Sequence, residues 1–190
     1  MAPKIAFRWG SRFTIVDLAR SGLSISLWRM AFTKSAILEL HAWMHDCFDA
    51  TLTHAGTIPE HLLAAEVTGF GRPTLRHQIA HVLTTELAWV RALQLLPIQR
   101  VDPATLGTIA VARREKKRVA AATVAYLDHI GENQLNTTLE RYTEEWLGPP
   151  RSPAFILLHV ITHAFHHKGQ IVAMMRLLGY PAPDTDMQRG

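Results

Sequence analysis

Apolar residues recur along most of this chain at intervals of three and four, the period that gathers them on one face of an α-helix, with no convincing strand alternation and no internal repeat. The first convincing stripe runs from about Ser35 to His54 through Ile37, Leu40, Met44, Cys47, Phe48 and Leu52, and Gly56 and Pro59 close it. The connection GTIPEHLLAAEVTGFGRP holds about one helical turn and ends in Gly69, Gly71 and Pro73, residues that favour turns. A second helix is predicted to start near Pro73 and Thr74 and to run through LRHQIAHVLTTELAWVRALQL to a stop at Pro97. The third takes Asp102 as N-cap and Pro103 as its first helical residue and continues to about Ile130, where Gly131 ends it. The fourth has Ser152 and Pro153 in the same roles and runs to Leu178, with Gly179 as C-terminal cap and Pro181 barring continuation. Between the third and fourth lies NQLNTTLERYTEEWLGPPRSP, too long for a simple bundle turn and of a length often used as a lid or pocket wall; Trp146 within it is a candidate for the pocket mouth.

Four amphipathic helices joined by long connections after the first and third and a short one after the second pack most economically as an all-α four-helix bundle. At 190 residues the chain has material for one substantial core and too little for two large domains. No apolar run reaches the roughly 18 to 20 residues that span a bilayer, so no membrane role is expected. The single cysteine, Cys47, excludes an intramolecular disulfide and a cysteine-based zinc knuckle. Its apolar helical neighbours predict core packing, and such cysteine usage points to a reducing, cytoplasmic setting.

The formal net charge of +4 is unevenly placed. Residues 1–34 carry Lys4, Arg8, Arg12, Arg20, Arg29 and Lys34 against Asp17 alone, which leaves the remainder within one charge of neutrality. A near-neutral domain offers no electrostatic reason to bind nucleic acid, and the basic run RREKKR at 113–118 is expected to be a solvated helix face. Residues 1–29 form a basic extension whose spaced arginines and serines suit an organelle transit peptide. Three other readings stand beside that one: an upstream extension from a wrongly chosen start codon, since Met30 directly precedes the first helical pattern; a membrane-surface segment; and a structured arm. The extension is therefore treated apart from a domain at 30–190.

The chemistry concentrates in HVITHAFHHKGQ, residues 159–170, where four of the chain's eleven histidines fall in an otherwise apolar helix. Several imidazoles in one core are costly without partners. His163 and His167, four apart, share a face with Cβ atoms about 5–6 Å from each other, close enough to converge on one ion. A first-row ion held by nitrogen usually takes a third protein ligand, which in a bundle comes from a facing helix; the second helix offers His77 and His81. Three nitrogens would leave a position open, as in catalytic rather than structural sites. Such an ion lowers the pKa of whatever coordinates there, water or thiol. No GxSxG, GxGxxG or P-loop pattern suggests a rival site.

The segment HVITHAFHHKGQIVAMMRLLGYPAPDTD resembles the last helix of the DinB/YfiT-like superfamily of metal-dependent enzymes, whose signature is His-x3-His followed by Arg or Lys, Gly and Gln; His163, His167, Lys168, Gly169 and Gln170 match it in order. The superfamily's histidine followed by Glu five positions on and Trp eight positions on is matched by His81, Glu86 and Trp89. The resemblance spans residues 30–190. It departs from the pattern at Thr162, where an Asn often precedes the first histidine of the pair.

The resemblance implies a DinB-like bundle, often a homodimer, with one divalent ion held by His81, His163 and His167; zinc and nickel lead, with manganese and iron as further candidates. His77, His159 and His166 are then expected to support the ligands or line the pocket, with Gln170 and Glu86 placed to orient a ligand imidazole through its other nitrogen. The implied chemistry is transfer of a low-molecular-weight thiol to a small electrophile, or a thiol-dependent isomerisation. Metal-dependent hydrolysis and a non-catalytic, metal-binding role in stress response are the alternatives.

Overall fold

The computed structural model describes residues 31–141 and 147–182. Trp146, the PDTD tail and the extension at 1–29 lie outside the described residues. The described residues from Phe32 onward belong to one compact unit. Its described elements are all helical: α1 (Lys34–Ala55), a 3-10 turn (Glu60–Ala64), α2 (Leu75–Leu93), a second 3-10 turn (Pro103–Thr105), α3 (Ile109–His129), the short α4 (Glu132–Asn136) and α5 (Pro153–Leu177). No described helix is long and apolar enough to cross a membrane.

The four long helices close a ring in which α1 packs on α5, α5 on α2, α2 on α3 and α3 on α1. Inside it, Met44, Phe48 and Leu52 of α1 meet Ile79, Leu83 and Leu87 of α2, Val119 of α3 and Ile171 and Met174 of α5 in one apolar core. Cys47 is buried, in keeping with a packing role.

Each long helix begins on a hydroxyl that accepts from the backbone amide three residues on: Thr33 from Ala36, Thr74 from His77, Thr108 from Val111 and Ser152 from Phe155. Thr108 corrects the predicted start of α3. Asp102 does cap a turn, accepting from Ala104, but that turn closes after Thr105, and Leu106, 2% exposed, is drawn into the core so that the chain must restart at Thr108. The other end of α3 also differs. It stops at His129, and Gly131 opens α4 rather than simply ending a helix. Asn136 of α4 then clips the start of the bundle, its Oδ1 accepting from the Phe32 amide at 2.8 Å and its Nδ2 donating to the Phe32 carbonyl at 2.9 Å.

The second helix ends earlier than Pro97. Leu95 takes a left-handed φ of 56°, and the Leu96 amide donates back to the Arg91 carbonyl at 2.9 Å, so a leucine occupies a capping position that normally takes glycine. At the end of α5 the same motif uses Gly179, φ 88°, with the Tyr180 amide donating to Met175 at 2.8 Å. The run at 113–118 is not uniformly solvated. Lys116 is 6% exposed and pairs with Asp49 of α1, because it lies on the Ala112, Val119, Thr123 face that α3 turns inward.

Candidate metal centre

His81, His163 and His167 converge where α2 packs on α5. The i, i+4 spacing on α5 sets the rings of His163 and His167 4.4 Å apart between centroids, and His81 from α2 lies 4.8 and 4.5 Å from them. The Nε2 atoms of His81 and His163 approach to 3.1 Å, and one nitrogen from each of the three rings falls within 4.8 Å of the other two. An Nε2–Nε2 pair at that distance leaves at least one lone pair facing inward.

The surroundings keep these rings neutral. Burial, then the Arg72 charge and then His167 lower His81 from an ordinary 6.5 to about 4. Burial and the neighbouring imidazoles lower His163 to about 3. Burial, His166 and Arg72 lower His167 to about 4, against a hydrogen bond from Gln170 that acts the other way. Neutral imidazoles are the form in which histidine ligates metals. Three such nitrogens without a carboxylate among them fit a first-row divalent ion such as zinc or nickel, and the buried Nδ1 of His163 has no hydrogen-bond partner in the protein.

The orienting group for His167 is one that the sequence did not disclose. Gln78, one turn before His81 on α2 and 0% exposed, accepts at Oε1 from His167 Nδ1 at 2.7 Å. Its Nε2 donates to the Arg72 carbonyl at 2.9 Å, which fixes the amide's orientation and therefore the tautomer of His167, with Nε2 left as the free lone pair. Its signal was an uncharged amide at i−3 from His81 inside an apolar stripe.

The remaining expected residues divide. His77 accepts or donates at Nδ1 with Thr74 Oγ1 at 2.9 Å and lines a pocket of about 220 Å³ beside His81. His159 sits 5.7 Å from the His163 ring and 5.9 Å from that of Trp89, at a second pocket of about 210 Å³. His166 packs edge-on to His167 at 4.9 Å and is bonded at Nε2 by Gln170 Nε2, 2.8 Å away. Thr162 turns its hydroxyl back onto the Leu158 and His159 carbonyls, so it supplies no substitute for an asparagine amide.

Glu86 does not orient any of the three imidazoles. Five residues on from His81 is about 140° round the helix, and the side chain faces α1 and α3 instead. There Oε1 accepts from His41 Nε2 at 2.7 Å, from His45 Nε2 at 3.2 Å and from Thr123 Oγ1 at 2.7 Å. Oε2 is 3.1 Å from His45 Nε2 without a well-directed hydrogen bond. Burial pushes the carboxyl up, but the bonds from His41 and His45 and their charge outweigh it and hold Glu86 well below the ordinary 4.5. This second group, His41, His45 and Glu86, could also hold an ion. All three residues are buried, so it lacks the access that the partly exposed His81 and His163 give the first group, and its carboxylate is already bonded to both histidines within the protein.

A helical bundle with three neutral histidines shared between two facing helices defines a class of candidate metal-binding proteins. A sequence profile of the DinB family matches residues 30–190, and the chain belongs to that family. It is 22% identical over 127 residues to Protein DinB of Bacillus subtilis (strain 168), covering 60% of this chain and 70% of that one. Its fold is similar to the crystal structure of a DinB-like protein from Bacillus cereus ATCC 10987, with TM-score 0.61, 20% identity and coverage of 79% of this chain and 95% of the other. A DinB family member from Shewanella denitrificans gives TM-score 0.52 at 17% identity over 83% of this chain and 90% of its own.

Proposed function

We propose that this chain is a metal-dependent enzyme that joins a low-molecular-weight thiol to a small electrophile, with its ion held by His81, His163 and His167. The observation that carries the reading is the convergence of three imidazoles kept neutral by burial, one of them fixed in tautomer by Gln78. A divalent ion there would act as a Lewis acid, lowering the pKa of a thiol that reaches its open position. In the reaction the sulfur forms a bond to an electrophilic carbon, the carbon's leaving group departs with its electron pair, and the thiol proton passes to solvent or to an imidazole at the pocket. The chain's own residues do the positioning: Gln78 aligns His167, Gln170 bonds His166, and the exposed His77 and His159 border the two pockets that flank the centre.

The test is consumption of a thiol panel by the zinc- or nickel-loaded protein in the presence of a model electrophile. Acceleration that vanishes in His163→Ala supports the reading. Turnover of an ester without thiol moves the assignment to hydrolysis, and bound metal with no turnover of either moves it to a non-catalytic role.

A further inference from the structure

A cleft of about 660 Å³ opens where α2 and α3 finish and α5 begins, and none of its described walls belongs to the metal centre. Leu93 and Pro153 are buried walls, and Ile130 and Leu139 pack on the same apolar cluster as Leu93. The frame around it is tied down: Asn136 of α4 holds the Phe32 main chain, Gln134 Oε1 accepts from the Gly131 amide at 3.1 Å, and the Leu139 amide donates to the Arg151 carbonyl at 3.3 Å. Small-molecule sites typically span roughly 300 to 1,000 Å³, so this cleft has room for a whole ligand, whereas the two clefts beside the metal centre, at about 220 and 210 Å³, fall below that range. Its polar groups are few. His129 Nδ1 donates to the Ala125 carbonyl at 2.7 Å, so in the neutral ring Nε2 is left as an acceptor. The Tyr126 hydroxyl, three residues earlier on α3, makes no hydrogen bond among the described residues, and burial raises it to about 12, which keeps it a neutral donor. No Asp, Glu, Lys or Arg is among the described walls. A charged ligand would lose hydration here with no counter-charge to replace it, whereas an apolar body gains by leaving water.

We propose that this cleft binds an uncharged, mainly apolar small molecule carrying a hydroxyl group, with its apolar body against Leu93, Ile130, Leu139 and Pro153 and its hydroxyl at Tyr126 and His129. A ligand hydroxyl satisfies both side chains at once, accepting from the Tyr126 phenol and donating to His129 Nε2, which a carbonyl could not. The site stands apart from the three ligand histidines, so it holds or fails independently of the metal reading.

The experiment is calorimetric titration of the full chain, metal-free and zinc-loaded, with para-phenylphenol and with its charged counterpart para-phenylbenzoate. Ala125→Trp fills the cleft, Ala121→Trp puts the same bulk on exposed α3 surface one turn away, and Tyr126→Phe removes only the hydroxyl; circular dichroism checks that all three fold. Support for the site is saturable binding of the phenol, about tenfold or more tighter than the anion and alike with and without zinc, that is lost in Ala125→Trp, kept in Ala121→Trp and weakened about 2- to 10-fold in Tyr126→Phe. Should Ala125→Trp not fold, Tyr126→Phe decides. Absent binding, equal binding of the anion, binding that requires zinc, binding that survives Ala125→Trp or unchanged affinity in Tyr126→Phe overturns the proposal. Gel filtration adds one more outcome: a wild type that elutes as a dimer and an Ala125→Trp protein that elutes as a monomer would give the cleft to a second copy of the chain, which also overturns it.

Discussion

The Nδ1 atom of His167 on α5 donates to the Oε1 of Gln78 on α2 at 2.7 Å, and both residues are buried. One helix therefore sets the ring orientation of a histidine carried by another. Loss of an outer hydrogen bond of this kind typically costs about 10- to 100-fold in metal affinity. Gln78→Leu is expected to fall in that range in a competition titration with a zinc indicator, with the helical signal retained. Unchanged affinity would mean that His167 is oriented by something else.

Acid should destabilise the metal-free protein in two stages. His81, His163 and His167 bind protons near 6.5 when unfolded and only near 4, 3 and 4 when folded, so the unfolded chain holds more protons between those values. Stability is full above about 6.5 and declines as the pH falls towards 4. Glu86, lowered from 4.5, adds its own loss only below that value. Thermal midpoints measured from pH 8 to pH 4 in the presence of a chelator should show the first decline in wild type and a shallower one in His163→Ala. A flat profile in wild type would contradict the neutral state of the cluster.

Glu86→Leu separates the two histidine groups. It leaves His41, His45 and Thr123 buried without their common acceptor, and removing one partner of a buried pair costs about 3–5 kcal/mol. Urea unfolding should register that loss while the zinc bound per folded chain stays the same. A fall in zinc content would place an ion on the Glu86 side.

Leu95 is 51% exposed and held at φ 56°. Glycine at that position removes the steric cost of a left-handed leucine and gives up little burial, so Leu95→Gly should raise stability by on the order of 0.5–1 kcal/mol, read from the urea midpoint. A lower midpoint would show that the side chain contributes packing that outweighs its backbone strain.

The bundle was legible because its helices carry their own punctuation: a hydroxyl cap at Ser152, a start near Pro73 and Thr74, glycine at 179, and apolar spacing that survives along α1, α2 and α5. The same signals misled at α3. Asp102 and Pro103 are a genuine start, but of a single turn, and only the burial of Leu106, a long-range fact, forces the restart at Thr108. His163 and His167 could be paired from spacing because a helix fixes what lies four residues away, whereas the choice of His81 over His77 came from the family likeness. Gln78 went unassigned because its local signal, an amide three residues before His81 in an apolar stripe, does not say which side chain across the bundle it bonds. The role expected of Glu86 failed for a reason available in helical geometry: His81 and Glu86 share a helix but not a face.

The central claim is that three histidines from two helices hold one divalent ion, and metal content per chain tests it most directly. Protein loaded with zinc, dialysed and analysed by elemental mass spectrometry should carry about one ion in wild type and in Glu86→Leu, and close to none in His81→Ala. A His81→Ala protein that folds and keeps its full complement of zinc would contradict the account.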